Sequence, residues 1–130
     1  MTEEELIIKA REMLASSYAP YSKFRVGAAL LTESGEVFTG CNVENSAYGC
    51  TICAERVAIY NAISNGRYRF REMAVISDSE TYTTLCGSCR QVLSEFCEKD
   101  FLILLCNHKG EYIKATLGEL LPLQFSKEQM

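Results

Sequence analysis

Thr51-Ile52-Cys53-Ala54-Glu55-Arg56, answered further along by Leu85-Cys86-Gly87-Ser88-Cys89-Arg90-Gln91, governs how the rest of this 130-residue chain is read. Each cysteine group stands at the start of a segment with helical character. From about Ile52 to Asn65 the apolar residues Ile52, Val57, Ala58, Ile59, Ala62 and Ile63 cover more than one stripe. This predicts a helix buried on several sides, against a sheet and a neighbouring subunit, and Gly66 supplies its stop. A second helix is expected over about Gly87 to Glu98. A helix N-terminus carries partial positive charge and free N–H groups, and both favour a thiolate over a thiol. The fold must then bring the two helix starts alongside one another.

The flanking segments suit such a frame. Residues 3–17 carry Leu6, Ile7, Ala10, Met13 and Leu14 on one helical face, and Ala19-Pro20-Tyr21 is expected to end that helix. Arg25–Thr32 and Glu36–Val43 read as strands around the hairpin turn Glu33-Ser34-Gly35. A polar loop spans Asn42 to Gly49. Glu72–Ser77 reads as a buried central strand, and Phe101–Cys106 as another. Asn107-His108-Lys109-Gly110 is too short for a parallel crossover, so Glu111–Thr116 must pair antiparallel with the strand before it. A last helix, Leu117–Leu121, ends before Pro122. The order predicts an α/β protein, a three-layer α/β/α sandwich with a mixed sheet of about five strands, in one domain over residues 1–130.

Composition narrows the function. Apolar residues make up 48 %, enough for a core, while a net charge of −4 and a pI near 5.1 leave no basic surface for a phosphate backbone. A small-molecule substrate is favoured and a nucleic-acid partner is not. No run approaches the roughly 20 apolar residues of a membrane span. The acidic start MTEEELIIKARE lacks a signal-peptide pattern, so a cytoplasmic location is expected. Seven cysteines, an odd number, argue against a disulfide framework. Cys41, Cys50, Cys97 and Cys106 lie in apolar surroundings without ligand spacing and read as small core residues.

Cys53, Cys86 and Cys89 read as three thiolate ligands for one zinc ion. Three protein ligands leave the fourth position open to a water, and Glu55 is placed to move protons for it. Hydrolytic deamination of a nucleobase needs this arrangement. Other readings stand beside it. Cys86 and Cys89 could be a redox pair. Cys50 or His108 could close a structural site, making the chain a non-catalytic zinc-binding module. Arg56 could be a surface arginine, and Asn42 and Glu44 ordinary polar loop residues.

Tyr21-Ser22-Lys23-Phe24-Arg25-Val26-Gly27-Ala28-Ala29, Gly40-Cys41-Asn42-Val43-Glu44-Asn45, the two cysteine motifs, and Glu119-Leu120-Leu121-Pro122 with Phe125 resemble the short-chain, homotetrameric cytidine deaminases. The resemblance covers nearly the whole chain. It implies one zinc per subunit on Cys53, Cys86 and Cys89, with Glu55 as proton shuttle. Cytidine and deoxycytidine would be converted to uridine and deoxyuridine in pyrimidine salvage. Phe24, Asn42 and Glu44 match the ribose side of the pocket, the latter two gripping a sugar hydroxyl. Ala54 would offer its N–H to the base carbonyl, and Phe125 would stack on the base in a neighbouring subunit's site. Three thiolates outweigh Zn²⁺ by one charge, and Arg56 is expected to offset them. Gln91 would bond a thiolate or form a capping box with Ser88. A modified cytosine nucleoside is the alternative substrate. Leu85 stands where the family usually has proline, which is expected to leave that backbone freer.

Overall fold

The computed structural model describes all 130 residues. The chain runs α1 (Glu3–Glu12), a 3₁₀ turn (Met13–Ser16), β1 (Val26–Thr32), β2 (Val37–Cys41), a 3₁₀ turn (Tyr48–Cys50), α2 (Ala54–Ser64), β3 (Phe70–Ser77), α3 (Gly87–Phe96), β4 (Leu102–Cys106), β5 (Tyr112–Thr116), α4 (Leu117–Leu120) and a last 3₁₀ turn (Lys127–Gln129). The five strands form one sheet in the order β2-β1-β3-β4-β5. β3 and β4 pair in parallel, with α3 as their crossover, and every other pair is antiparallel.

Period-two alternation divides the core into two layers. Ala29 and Leu31 of β1, Ala74 and Ile76 of β3, and Leu104 and Cys106 of β4 face α1, which buries Leu6, Ile7 and Ala10 against them. Ala28, Leu30, Met73, Val75, Ile103 and Leu105 face the other way, onto α2 and α3 through Ala58, Ile59, Ala62 and Leu93. The three-layer sandwich with a mixed five-stranded sheet is therefore as the sequence predicts.

Local signals explain most boundaries. Thr2 and Glu5 form a capping box on α1, and Thr116 and Glu119 form another on α4. Gly35 and Gly66 take the left-handed φ (92° and 80°) that the hairpin turn and the α2 stop require. Gly40 serves a different purpose. A Cβ there would lie 2.5 Å from the Ala54 carbonyl oxygen and 2.6 Å from the Ala58 nitrogen, so β2 and α2 approach backbone to backbone.

Two expectations need correction. The first helix does not run on to Pro20. It tightens into a 3₁₀ turn and leaves at Ser17, because Ser17 Oγ donates to Asn42 Oδ1 and the Tyr18 N–H donates to the Asn42 carbonyl (3.0 Å), drawing the chain toward the end of β2. Of the four cysteines read as core residues, Cys41 and Cys106 are buried and Cys97 is half-buried. Cys50 is exposed, on a 3₁₀ turn outside both apolar layers.

Candidate active site

α2 and α3 both begin with cysteine. Cys53 is the N-cap residue of α2, and Cys86 that of α3, where its sulfur accepts from the Cys89 N–H at 3.5 Å. The Sγ atoms of Cys53, Cys86 and Cys89 all lie within 4.8 Å of one another, with Cys53 and Cys86 3.6 Å apart. Sulfurs around a tetrahedral zinc with 2.3 Å bonds stand about 3.8 Å apart. The donor set therefore fits the ion in spacing and in softness. Neither Cys50 nor His108 belongs to the cluster, so the chain brings three candidate donors together and not four.

Charge at the cluster follows from its neighbours. The Cys53 thiol is lowered to about 5, chiefly by hydrogen bonding with Cys89 and then by Arg56, against the opposing effect of burial. Cys89 is pushed up by the same contact with Cys53 and by burial, so the paired sulfurs resist a second negative charge until a cation arrives. Arg56 Nη2 donates to Cys53 Sγ at 3.4 Å, which raises the arginine further above its ordinary range. Arg56 is therefore no surface arginine. Its guanidinium is placed against the sulfur cluster, where it adds positive charge beside the thiolate.

Glu55 follows in the first turn of α2 and is 4 % exposed. Burial raises its carboxyl to about 7, with the neighbouring Cys53 charge adding to the effect. A carboxyl so poised can both accept and release a proton near neutral pH. The N–H of Ala54, first in the helix, donates to no acceptor within the chain and remains free for a ligand.

A small ladder brings the polar loop to this cluster. Val43 and Ile52 exchange both backbone hydrogen bonds at 3.0 Å, and Val43 also bridges to Tyr18. One cleft of about 280 Å³ results. It is lined by Cys53, Ala54, Glu55 and Cys86 together with Phe24, Asn42 and Glu44. Asn42 is buried. Its Oδ1 accepts from Val26 N–H (3.0 Å) and from Ser17 Oγ, and its Nδ2 donates to the Phe24 carbonyl (2.8 Å). Both lone pairs of the amide oxygen are thus engaged and one N–H remains. Glu44 accepts from the backbone of Tyr21 and Ser22 (3.0 and 3.1 Å) and from the Ser22 hydroxyl, which hold it ionised and below the usual carboxylate range. Of its roughly four lone-pair directions, three are occupied.

Gln91 and Phe125 lie apart from this cleft. Gln91 Nε2 donates to the Phe125 carbonyl at 3.0 Å, not to a thiolate. Nor does Gln91 form a capping box with Ser88, because Cys86 is the N-cap of α3 and Ser88 is already inside the helix. Phe125 is 61 % exposed and does not line the cleft of its own chain. Thr83 and Thr84 line the cleft but were not singled out from the sequence; neither carries a motif. Ser22 lies within the Tyr21–Ala29 stretch that carries the resemblance, and Glu44 was named from it, but the bond between the two has no signal in the sequence.

Three convergent sulfurs from two helix starts, with a buried carboxyl two residues after the first of them, are the donor set and the acid–base group of a zinc-dependent hydrolase. Residues 1–105 match the family described as the cytidine and deoxycytidylate deaminase zinc-binding region. The chain is 47 % identical to cytidine deaminase from Sporosarcina psychrophila, over all of this chain and 96 % of that one. It superposes with a TM-score of 0.93 on the crystal structure of cytidine deaminase from Burkholderia pseudomallei, at 42 % identity over 96 % of this chain and all of the other. A blasticidin-S deaminase from Bacillus cereus is 32 % identical over 95 % of this chain and 91 % of its own length. The chain belongs to the cytidine and deoxycytidylate deaminase family. No helix is long and apolar enough to cross a membrane.

Proposed function

We propose that the chain hydrolyses cytidine and deoxycytidine to uridine and deoxyuridine with release of ammonia, one zinc ion being held per chain by Cys53, Cys86 and Cys89. The observation that carries this reading is the single cleft shared by the sulfur cluster, Glu55 and the polar loop. Bound there, the ion would supply a polarised water as nucleophile. Glu55 takes the proton of the attacking water and delivers it to ring N3, then carries the remaining proton of the hydroxyl added at C4 to the exocyclic amine, which leaves as ammonia as the carbonyl forms. Burial keeps this carboxyl away from bulk water, so the proton stays in the site. Ala54 N–H is free to bind the base carbonyl. Asn42 offers one donor and Glu44 one acceptor, the complement of a sugar hydroxyl that both accepts and donates. Phe24, partly exposed at the rim, covers the sugar side.

Incubation of zinc-loaded protein with cytidine should abolish the ultraviolet signature of the aminopyrimidine, and a chelator should stop the reaction. A loaded protein that leaves both cytidine and deoxycytidine unchanged would overturn the proposal. Running blasticidin S in parallel tests the second reading, which its 32 % identical relative brings into view. The Asn42–Glu44 pair favours the plain nucleoside.

The exposure of Phe125, with its backbone fastened to α3 by Gln91, supports a homotetramer in which this ring completes the site of a neighbouring copy. Phe125→Ala is then expected to raise KM for cytidine about tenfold, the size of a lost aromatic stacking contact, with zinc content unchanged. An unaltered KM would remove Phe125 from the site. Sedimentation of the same variant reports whether the assembly survives.

A further inference from the structure

Arg90 follows the third sulfur residue on α3, does not line the cleft and takes no part in the roles described above. It is half-buried, and its guanidinium holds two carbonyls at once. Nε donates to Leu85 O at 2.8 Å and Nη1 to Leu120 O at 2.7 Å. Leu85 is the residue immediately before Cys86, and Leu120 ends α4. One side chain thus spans from the backbone that presents a zinc ligand to the helix at the far end of the fold.

The segment it holds has few other restraints. Leu85 carries none of the φ restriction a proline would impose, and its N–H donates to no acceptor within the chain. Its side chain is buried in the α2–α3 layer. Upstream, Thr83 Oγ1 donates to the Cys106 carbonyl and pairs with Ser77 Oγ, each at 2.6 Å, fixing the loop to the ends of β3 and β4. The backbone from Thr83 to Cys86 is therefore pinned at Thr83 by the sheet and at Leu85 by Arg90. Thr84, between the pins, lines the cleft beside Cys86. A guanidinium suits this task because its rigid fork satisfies two acceptors in fixed directions, whereas an ammonium is a single point of charge.

We propose that Arg90 is a positioning residue for the deamination, holding the Leu85 carbonyl so that the Cys86 thiolate and the Thr84 rim keep their register with Cys53, Cys89 and Glu55. The inference rests on the three-sulfur zinc reading of the site.

The test compares wild type, Arg90→Gln, Arg90→Lys and the double variant Leu85→Pro/Arg90→Gln, all zinc-loaded. Zinc release to a chromogenic chelator, kcat and KM for cytidine per bound zinc, and thermal unfolding are measured. Arg90→Gln should release zinc about tenfold or more faster, in line with the loss of other groups that hold metal ligands in place. Its kcat should fall about tenfold while KM changes by less than about threefold, since misplacement at the reacting centre acts on turnover. Arg90→Lys should lie between, and Leu85→Pro should restore most of the zinc retention in the Arg90→Gln background. Where Arg90→Gln does not accumulate as folded protein, Arg90→Lys is read by the same measures. Wild-type zinc release and kcat in these variants would overturn the proposal. So would a lower melting temperature with neither altered zinc release nor a change in kcat per bound zinc, which is the mark of a general staple. Zinc release needs no substrate, so it judges Arg90 even if wild type left cytidine intact, a result that would count against the proposed reaction alone.

Discussion

Glu55→Gln is expected to lower kcat on cytidine by about 10²- to 10⁴-fold, the usual contribution of a positioned proton carrier. Zinc should remain near one ion per chain. Glutamine has nearly the shape of glutamate and fits the same buried space, so packing should survive. What disappears is a group able to take a proton from water and return it to the base. The carboxyl in this chain is held near 7 by burial beside a thiolate, while a carboxamide cannot titrate at all. Metal analysis and steady-state kinetics on one preparation decide the matter. Retained zinc with turnover within tenfold of wild type would show that Glu55 does not carry the proton.

Gly40→Ala should destabilise the protein by about 2–3 kcal/mol and lower its melting temperature by roughly 10 °C. The added methyl would meet the Ala54 carbonyl at 2.5 Å, the Ala58 nitrogen at 2.6 Å and Val57 Cβ at 2.9 Å. Two of these are backbone atoms, which cannot swing aside as a side chain can. Relief requires α2 to lift from β2, and the turn that must move carries Cys53, Ala54 and Glu55. Activity per folded molecule should therefore fall with stability. Gly49→Ala, where a methyl meets nothing within 4 Å, is the control and should shift the melting temperature by no more than about 2 °C. Equal effects of the two substitutions would refute the close-approach argument.

Residues whose task is local announced it in the sequence. The Glu33-Ser34-Gly35 turn, the Gly66 stop and the short Asn107–Gly110 connection each dictate their own geometry and fixed the pairing of their neighbours. The cysteine spacing pointed to the three sulfurs that the structure gathers at two helix starts, because a metal needs several donors in one place. Contacts between distant segments were invisible. Ser17 ends the first helix through Asn42, some 25 positions away. Gln91 reaches Phe125 through a tail whose course no local pattern records, and Arg90 reaches Leu120 from one helix to another far along the chain. Asn42 and Glu44 drew attention only through family likeness, and even so most of their hydrogen-bonding capacity serves the chain itself. Cys50 misled because an apolar residue type on an exposed turn looks, in sequence, like a core residue.

The sulfur triad also acts as a fastener. Cys53 belongs to the helix laid over the β1–β2 hairpin, whereas Cys86 and Cys89 belong to the crossover between the parallel strands β3 and β4. A bound ion cross-links these two halves of the molecule in space, and an unfolded chain cannot hold the three sulfurs together so well. Each tenfold rise in free zinc above the dissociation constant therefore adds about 1.4 kcal/mol to the folded state. Starvation for the metal weakens the architecture along with the chemistry.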